Sequence, residues 1–295
     1  MDNTSTNHDS NNQNLESILD SNQAYLLILE RAKELVKRVI EIRGHKTPPF
    51  VLEEYAGLTH ISRISEADLG KTSGLLLKMR SGYLIKVNQN HHAVRKRFSI
   101  AHEIGHILFN ELKLERYIPS IEYRNSNLQG ETKNRLKFRE HLCDVVATEL
   151  LMPEIIFGEY LNNFGLSVSS VGRLAQIFGV SIPSTALRIA EISQHPCIAV
   201  LWKDGSKYKP KTLRVDWSIG PGKTTSVLSS FSPITKQVDA TSSIYKAYLD
   251  DGIIISHQSF KKGNIIKNCR VESQRFGYNE NKYVISLAFP TNPSA

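Results

Sequence analysis

The sequence predicts an α+β protein: a mainly helical domain enclosing a small β-sheet, then a helix-turn-helix-like segment, then a C-terminal α+β or mostly β domain. Three observations carry this. Apolar residues recur at helical spacing over 24–43, 98–109 and 139–153. Two strand-like runs, 74–79 and 83–88, interrupt the helical part. After Pro196 the chain changes to short β-rich runs separated by turn residues. The expected divisions are an unstructured tail at 1–22, a first domain at 23–153, a helical subdomain at 154–194 and a last domain at 195–295.

The first 22 residues hold six Asn, four Ser and four acidic residues, with no Lys or Arg. Such a segment buries too little apolar surface to offset its ordering entropy. From Ala24 to Arg43, Leu26, Leu27, Leu29, Ala32, Leu35, Val36, Val39 and Ile40 mark an amphipathic helix that needs a partner surface. Lys46-Thr-Pro-Pro49 ends it. A short helix over 51–57 precedes the strands Gly74–Met79 and Tyr83–Asn88, joined through Arg80-Ser81-Gly82.

Phe98-Ser-Ile-Ala-His-Glu-Ile-Gly-His-Ile-Leu-Phe109 is the chemical centre. Ser99 is a candidate N-cap, and Ile100, Ile104, Ile107 and Leu108 form an apolar stripe. His102 and His106, four apart, share a helix face and can bind one metal ion, with Glu103 beside it as a base. Two imidazoles and a carboxylate hold Zn²⁺ with an open position, and the metal brings the pKa of bound water toward ~7. His₂Glu ligation also accepts Mn²⁺ or Co²⁺. Gly105 between the histidines costs about 1 kcal/mol of helix propensity, which points to close packing or substrate access.

A third ligand is needed. Glu111, Glu115, Glu122 and Glu131 fall in exposed or loop-like stretches, and a polar connection runs from about 115 to 134. A connection of that length beside a catalytic centre is expected to shape a substrate groove, with Tyr117 or Tyr123 as oxyanion donors that nothing distinguishes. The next helix, Arg139-Glu140-His-Leu-Cys-Asp144 through Met152-Pro153, places Glu140 and Asp144 on one face. Glu140 as ligand and Asp144 as the acceptor that orients a ligand histidine is the economical assignment, with the reverse roles open. In a regular helix, His141 and Cys143 are expected to point away from that face.

The run Arg97–His106, followed by Glu140-x-x-Cys143-Asp144-x-x-Ala147 and Leu150-Leu-Met-Pro153, resembles the ImmA/IrrE family of bacterial metallopeptidases. The resemblance spans about 48–190; Asp144 stands where asparagine is also common, and Val146 where phenylalanine is frequent. It implies a zincin-like fold, metal ligation by His102, His106 and Glu140, and Glu103 as catalytic base. It also implies a helix-turn-helix transcriptional repressor as substrate, cleaved to release a mobile element or stress response. In this family an edge strand before the active-site helix helps hold the peptide.

After Pro153, Ser167–Ser170, Leu174-Ala175 and Gly179–Pro183 resemble a helix-turn-helix. The second helix offers Arg188 with few companion donors and Glu191 nearby, so a structural subdomain is favoured over an operator reader. In the last domain, 197–202, 213–217, 224–228, 252–257 and 282–289 read as strands and 241–249 as a helix. From 196 to 290 there are 14 Lys or Arg against 7 Asp or Glu.

The whole chain has 295 residues and a net charge of +8. Between Leu69 and His102 stand seven Lys or Arg and no acid, a basic face able to attract an acidic partner or nucleic acid. Three cysteines without paired spacing fit a reducing compartment. No secretory signal pattern and no run of ~20 apolar residues occurs, so a cytoplasmic protein without membrane insertion is expected. The oligomeric state is not written in any motif. The expected function is a zinc-dependent endopeptidase acting on one intracellular protein. The alternative is a DNA-binding or ligand-sensing regulator, or an antitoxin-like protein, with a non-catalytic metal site. Such a site fills its coordination positions with protein ligands and gives Glu103 no task.

Overall fold

The structure is a computed structural model that describes residues 6–117, 128–205, 211–220 and 231–291, with side chains described from 21 and, in the helix beginning at Leu128, from 136. It has the expected α+β composition and divides into two compact units, Met1–Pro153 and Glu154–Ala295.

In the first unit, helix α1 (Thr6–Arg43) buries Ala24, Ile28, Ala32, Leu35 and Val39, a stripe at intervals of three and four. The sequence led us to expect an unstructured tail as far as 22, yet the helix begins at Thr6. A stripe that has nucleated a helix lets polar residues extend it, because propagation is far less costly than nucleation. Residues 1–5 lie outside the described part. Helix α2 (Leu52–Leu58) closes on Thr59, whose hydroxyl donates to Tyr55 O at 2.9 Å.

A three-stranded sheet follows, in the order β1 (Ile61–Ala67), β3 (Gly82–Asn88), β2 (Gly74–Met79). β3 is central, parallel to β1 and antiparallel to β2, and buries Ile85 and Val87. β2 is therefore an edge strand. β1 has no counterpart among the strands expected from the sequence. Its Ile-Ser-Arg-Ile-Ser-Glu-Ala lacks clean alternation and buries no residue fully, so backbone pairing to β3 holds it.

Helix α3 (Ala93–Glu111) starts earlier than the sequence indicated. His92 is its N-cap, with Nδ1 accepting from Val94 N at 3.4 Å. Ser99 is not the cap: it is buried inside the helix and donates to Arg95 O at 3.0 Å. A 3-10 turn, Leu114–Tyr117, leads toward α4 (Leu128–Leu151). The expected 115–134 connection is thus shorter, since its last part is helix. Residues 118–127, including Tyr123 and Glu122, lie outside the described part. The polar stretch at 129–134 has no apolar stripe to announce a helix. α4 buries Leu142, Val146, Ala147 and Leu150 and packs against α1 and α3.

In the second unit, α5 (Glu154–Phe164), α6 (Val168–Phe178) and α7 (Ile182–Ile192) precede the strands. Gly179 sits in the left-handed region between α6 and α7, and Ser181 caps α7 by accepting from Ser184 N. Arg188 is 3% exposed and donates to Glu191 Oε2 at 3.0 Å, so it presents no donor to a DNA groove.

Among the described residues seven antiparallel strands follow in the spatial order β6-β8-β9-β10-β4-β5-β7. They are β4 (Ile198–Asp204), β5 (Thr212–Ile219), β6 (Ser232–Pro233), β7 (Gln237–Asp239), β8 (Ile254–Lys262), β9 (Ile265–Phe276) and β10 (Tyr283–Pro290). Helix α8 (Ser243–Leu249) lays Ile244, Tyr245 and Ala247 on Val200, Trp202, Phe260 and Val271. The run 224–228, expected as a strand, lies outside the described residues. β9, the longest strand, was not anticipated, because Lys267, Asn268, Arg270, Glu272 and Gln274 hide its apolar positions. Buried Glu272 accepts from Val168 N at 3.0 Å at the start of α6, and Arg270 pairs with it at 2.8 Å. Among the described residues no helix is long and apolar enough to cross a membrane.

Candidate metal and active site

The site lies where α3 meets α4. The two helices approach closely because position 105 has no side chain: a Cβ on Gly105 would stand 2.8 Å from Cys143 Cα and 2.9 Å from its carbonyl oxygen. This brings the His102/His106 face of α3 onto the Glu140/Asp144 face of α4.

The imidazoles of His102 and His106 meet edge to face, 4.9 Å between centroids. Glu140 Oε2 lies 3.1 Å from His102 Nε2 and 3.8 Å from His106 Nε2. The other face of each ring has its own partner. His102 Nδ1 is 2.8 Å from Asp144 Oδ1, and His106 Nδ1 is 3.2 Å from Cys143 Sγ. Cys143 therefore does not point away, as the sequence suggested. It stands three residues after Glu140, and positions three apart share a helix face just as positions four apart do.

Two donor sets suit a cation here. The ring nitrogens and Cys143 Sγ lie within 4.8 Å of one another. The Nε2 atoms and Glu140 Oε2 form the other set. The second is chemically better matched. Burial pushes the Cys143 thiol well above its ordinary range, so a metal would have to displace its proton on binding, which the Glu140 carboxylate does not require. Its sulfur also addresses Nδ1, where it can accept that N–H and leave Nε2 free. Two borderline nitrogens and one carboxylate fit a divalent metal with an open position.

Glu103 is 8% exposed, and its Oε1 would lie 2.7 Å from a Cβ built on Gly74. Glu103 and the first residue of β2 are in contact only because that residue is glycine. Burial, reinforced by Glu140 and opposed by His102, holds the Glu103 carboxyl above the usual range. Burial lowers His106. At His102 burial disfavours the charged ring, but the Asp144 hydrogen bond and the charges of Asp144 and Glu140 outweigh it and raise its pKa.

A cleft of about 680 Å³ opens over these groups, lined also by Ser73, Gly74, Leu75, Arg95, Phe98 and Arg139. Arg139 Nη2 donates to Glu140 Oε1 at 3.4 Å. Tyr117, an oxyanion candidate from the sequence, is absent from the lining among the described residues, and the guanidinium of Arg116 covers its ring at 4.8 Å. Sequence reasoning missed Cys143, Arg139 and Gly74. The i+3 spacing signalled the first, but nothing local signalled the contact of Gly74 with Glu103, which depends on sheet register.

Fold and site together set a helix pair, with its histidines and carboxylates converging on one face, beside a small sheet. Residues 59–190 match the family Peptidase_M78, the IrrE N-terminal-like domain. Over this segment the chain is similar to the ImmA/IrrE family of metallopeptidases, a likeness that implies a divalent metal. It is 32% identical over 123 residues to the radiation response metalloprotease IrrE of Deinococcus radiodurans, covering 41% of this chain and 35% of that protein. It is 30% identical over 119 residues to the radiation response metalloprotease IrrE of Deinococcus deserti, covering 39% of each. The chain thus spans little more than a third of the length of the curated relatives it matches. A Mycobacterium tuberculosis transcriptional regulator shares the fold with a TM-score of 0.56 at 12% identity, over 92% of this chain and 81% of that one.

Proposed function

We propose that this protein is a zinc-dependent endopeptidase of the cytoplasm whose substrate is a helix-turn-helix transcriptional repressor, and that cleavage relieves repression of a mobile element or a stress response. The observation that carries this reading is the convergence of His102 Nε2, His106 Nε2 and Glu140 Oε2 with Glu103 beside them, under an edge strand.

In this reading His102, His106 and Glu140 hold the metal, which when bound supplies Lewis acidity toward water and the scissile carbonyl. Asp144 fixes the His102 ring by accepting from Nδ1, and Cys143 does the same, more weakly, for His106. Glu103 takes a proton from the attacking water at Oε1 and delivers it to the departing amine nitrogen; a carboxyl held above its ordinary range suits both halves of that transfer. β2 offers its free edge to an extended peptide, binding backbone amides whatever the side chains.

The test is cleavage of helix-turn-helix repressors from the same genome, beginning with any encoded near this gene, by the wild type and by Glu103→Gln, each with its metal content measured. The expected result is cutting by the wild type and none by the metal-loaded variant. Equal cutting by both, or metal binding without cutting by either, overturns the reading.

A further inference from the structure

The cleft carries a charge asymmetry that metal binding and proton transfer leave unused. Its three carboxylates are committed: Glu140 and Asp144 to the histidines, Glu103 to burial beside Gly74. The remaining charged side chains in the lining are Arg95 and Arg139. Arg139 gives Nη2 to Glu140, while its buried Nε has no partner among the described residues.

Arg95 belongs to the run Arg95-Lys96-Arg97, whose members have separated tasks. Lys96 donates to Glu66 Oε2 at 2.6 Å, and Arg97 donates to Phe50 O at 3.0 Å and is half-buried. Arg95 is exposed at the cleft wall and donates to an uncharged group, Ser73 Oγ, at 2.9 Å. No carboxylate pairs with it among the described residues. That hydrogen bond fixes its head group beside Ser73, the residue before Gly74, and Gly74 touches the Glu103 carboxylate. The cation therefore stands about one residue along β2 from the base. A peptide that pairs antiparallel to β2 runs opposite to it, so the part of the peptide beyond the scissile bond, toward its C-terminus, passes Ser73 and Arg95.

Resting on the peptidase reading above, we propose that Arg95 is a specificity-determining residue. It selects peptides with an aspartate or glutamate at the first or second position after the scissile bond. Arg139 adds positive potential from the α4 wall without reading a position. A cation in a cleft walled by protein acts through a weaker dielectric than bulk water, which strengthens its pairing with a substrate carboxylate.

The experiment exposes the full-length, metal-loaded protein to a randomised peptide pool and identifies the new N-termini by mass spectrometry. The expected profile has Asp and Glu enriched about fivefold at one of the two positions following the cut, as a charge-assisted hydrogen bond at a partly exposed site provides. Arg95→Glu should turn the preference toward Lys and Arg, and Arg95→Ala should flatten it, with the loss falling mainly on KM. A profile without acid enrichment, or one that Arg95→Glu leaves unchanged, overturns the proposal. If the wild type cuts no peptide, cleavage of the repressor decides the peptidase reading, and binding decides the present point separately. Fluorescein-labelled peptides differing only in Glu or Lys are then titrated onto metal-loaded Glu103→Gln. Tighter binding of the Glu peptides that disappears in Glu103→Gln/Arg95→Ala upholds the assignment, and equal binding overturns it.

Discussion

Gly105 of α3 and Cys143 of α4 meet backbone to backbone, with no room for a methyl group between them: a Cβ at 105 would lie 2.8 Å from Cys143 Cα. The obstacle is main chain, so it cannot turn aside as a flexible side chain would. Gly105→Ala gains about 1 kcal/mol of helix propensity and pays an overpacking cost of about 1–3 kcal/mol. Because the contact is to backbone, the cost falls at the upper end, and a net destabilisation of about 1–2 kcal/mol is expected. Parting the helices also draws His106 from Glu140. Denaturant unfolding and metal titration of the variant should therefore both show a loss; a variant more stable than wild type would refute the packing argument.

At Gly74 the geometry leads to a different outcome. A methyl there meets Glu103 Oε1 at 2.7 Å, the far end of a side chain that can rotate. The fold should survive Gly74→Ala while the carboxylate swings away. In the peptidase reading a misplaced general base costs about 10²–10⁴-fold in rate, so kcat should fall at least about a hundredfold with metal content and melting temperature near wild type. Parallel loss of metal would place the defect in the ligands instead.

What the sequence revealed and what it hid follow one physical rule. Contacts between residues three or four apart on one helix are written in spacing, so His102 pairs with His106 and Glu140 with Asp144 from the sequence alone, while the joining of the two pairs rests on ligand chemistry and on the resemblance. The same rule contains Cys143, three residues after Glu140 and on the same face of α4. Contacts set by sheet register or interhelical distance have no such signature. Gly74 against Glu103 and Arg95 against Ser73 arise from how β2 lies on α3. β1 and β9 were missed for a related reason: their neighbours' backbones and buried polar partners hold them, as Glu272 with Val168 N shows, rather than alternating apolar residues. The start of α3 was misplaced because a histidine, His92, does the capping that serine usually does.

The outer partners of the two histidines differ in kind, and metal affinity should register the difference. Asp144 Oδ1, a charged acceptor 2.8 Å from His102 Nδ1, raises that ring's basicity; Cys143 Sγ at 3.2 Å from His106 Nδ1 is a weak acceptor. Asp144→Ala should weaken metal binding about 10–100-fold by competition against a chelator, and Cys143→Ala by less than about tenfold. The Co²⁺-loaded wild type should lack an intense near-ultraviolet thiolate-to-cobalt band. Finding that band, and losing it in Cys143→Ala, would move the thiol into the coordination sphere in place of Glu140.

Removal of the metal should loosen the first unit and spare the second. Without a cation, Glu140 Oε2 faces two imidazoles at 3.1 and 3.8 Å, and only His102 is driven toward its charged form; burial drives His106 the other way. The α3–α4 contact then loses a crosslink that supplies RT ln(1 + [L]/Kd), about 2.7 kcal/mol at a hundredfold excess of ligand over Kd. Hydrogen exchange of the chelated protein should quicken in 98–109 and 139–151 and stay unchanged in β4, β9 and β10. Equal quickening in both units would mean that the metal stabilises more than the helix pair it joins.

The interior of the second unit offers its own test of what α7 is for. Arg188 is buried against Glu191, so its charge is bound into the subdomain. Removing one partner of a fully buried pair costs about 3–5 kcal/mol; Arg188 keeps further interactions and Glu191 keeps a quarter of its side chain in contact with water, which together bring the figure to about 1–2 kcal/mol for Glu191→Ala. Arg188→Met combined with Glu191→Leu removes both charges and should recover most of that loss in urea unfolding. Were α7 a base-reading helix, the double variant would lose DNA binding without any change in stability. The burial of Arg188 predicts the opposite pair of results: stability that follows the ion pair, and whatever affinity the full chain has for a DNA duplex unchanged by removing it.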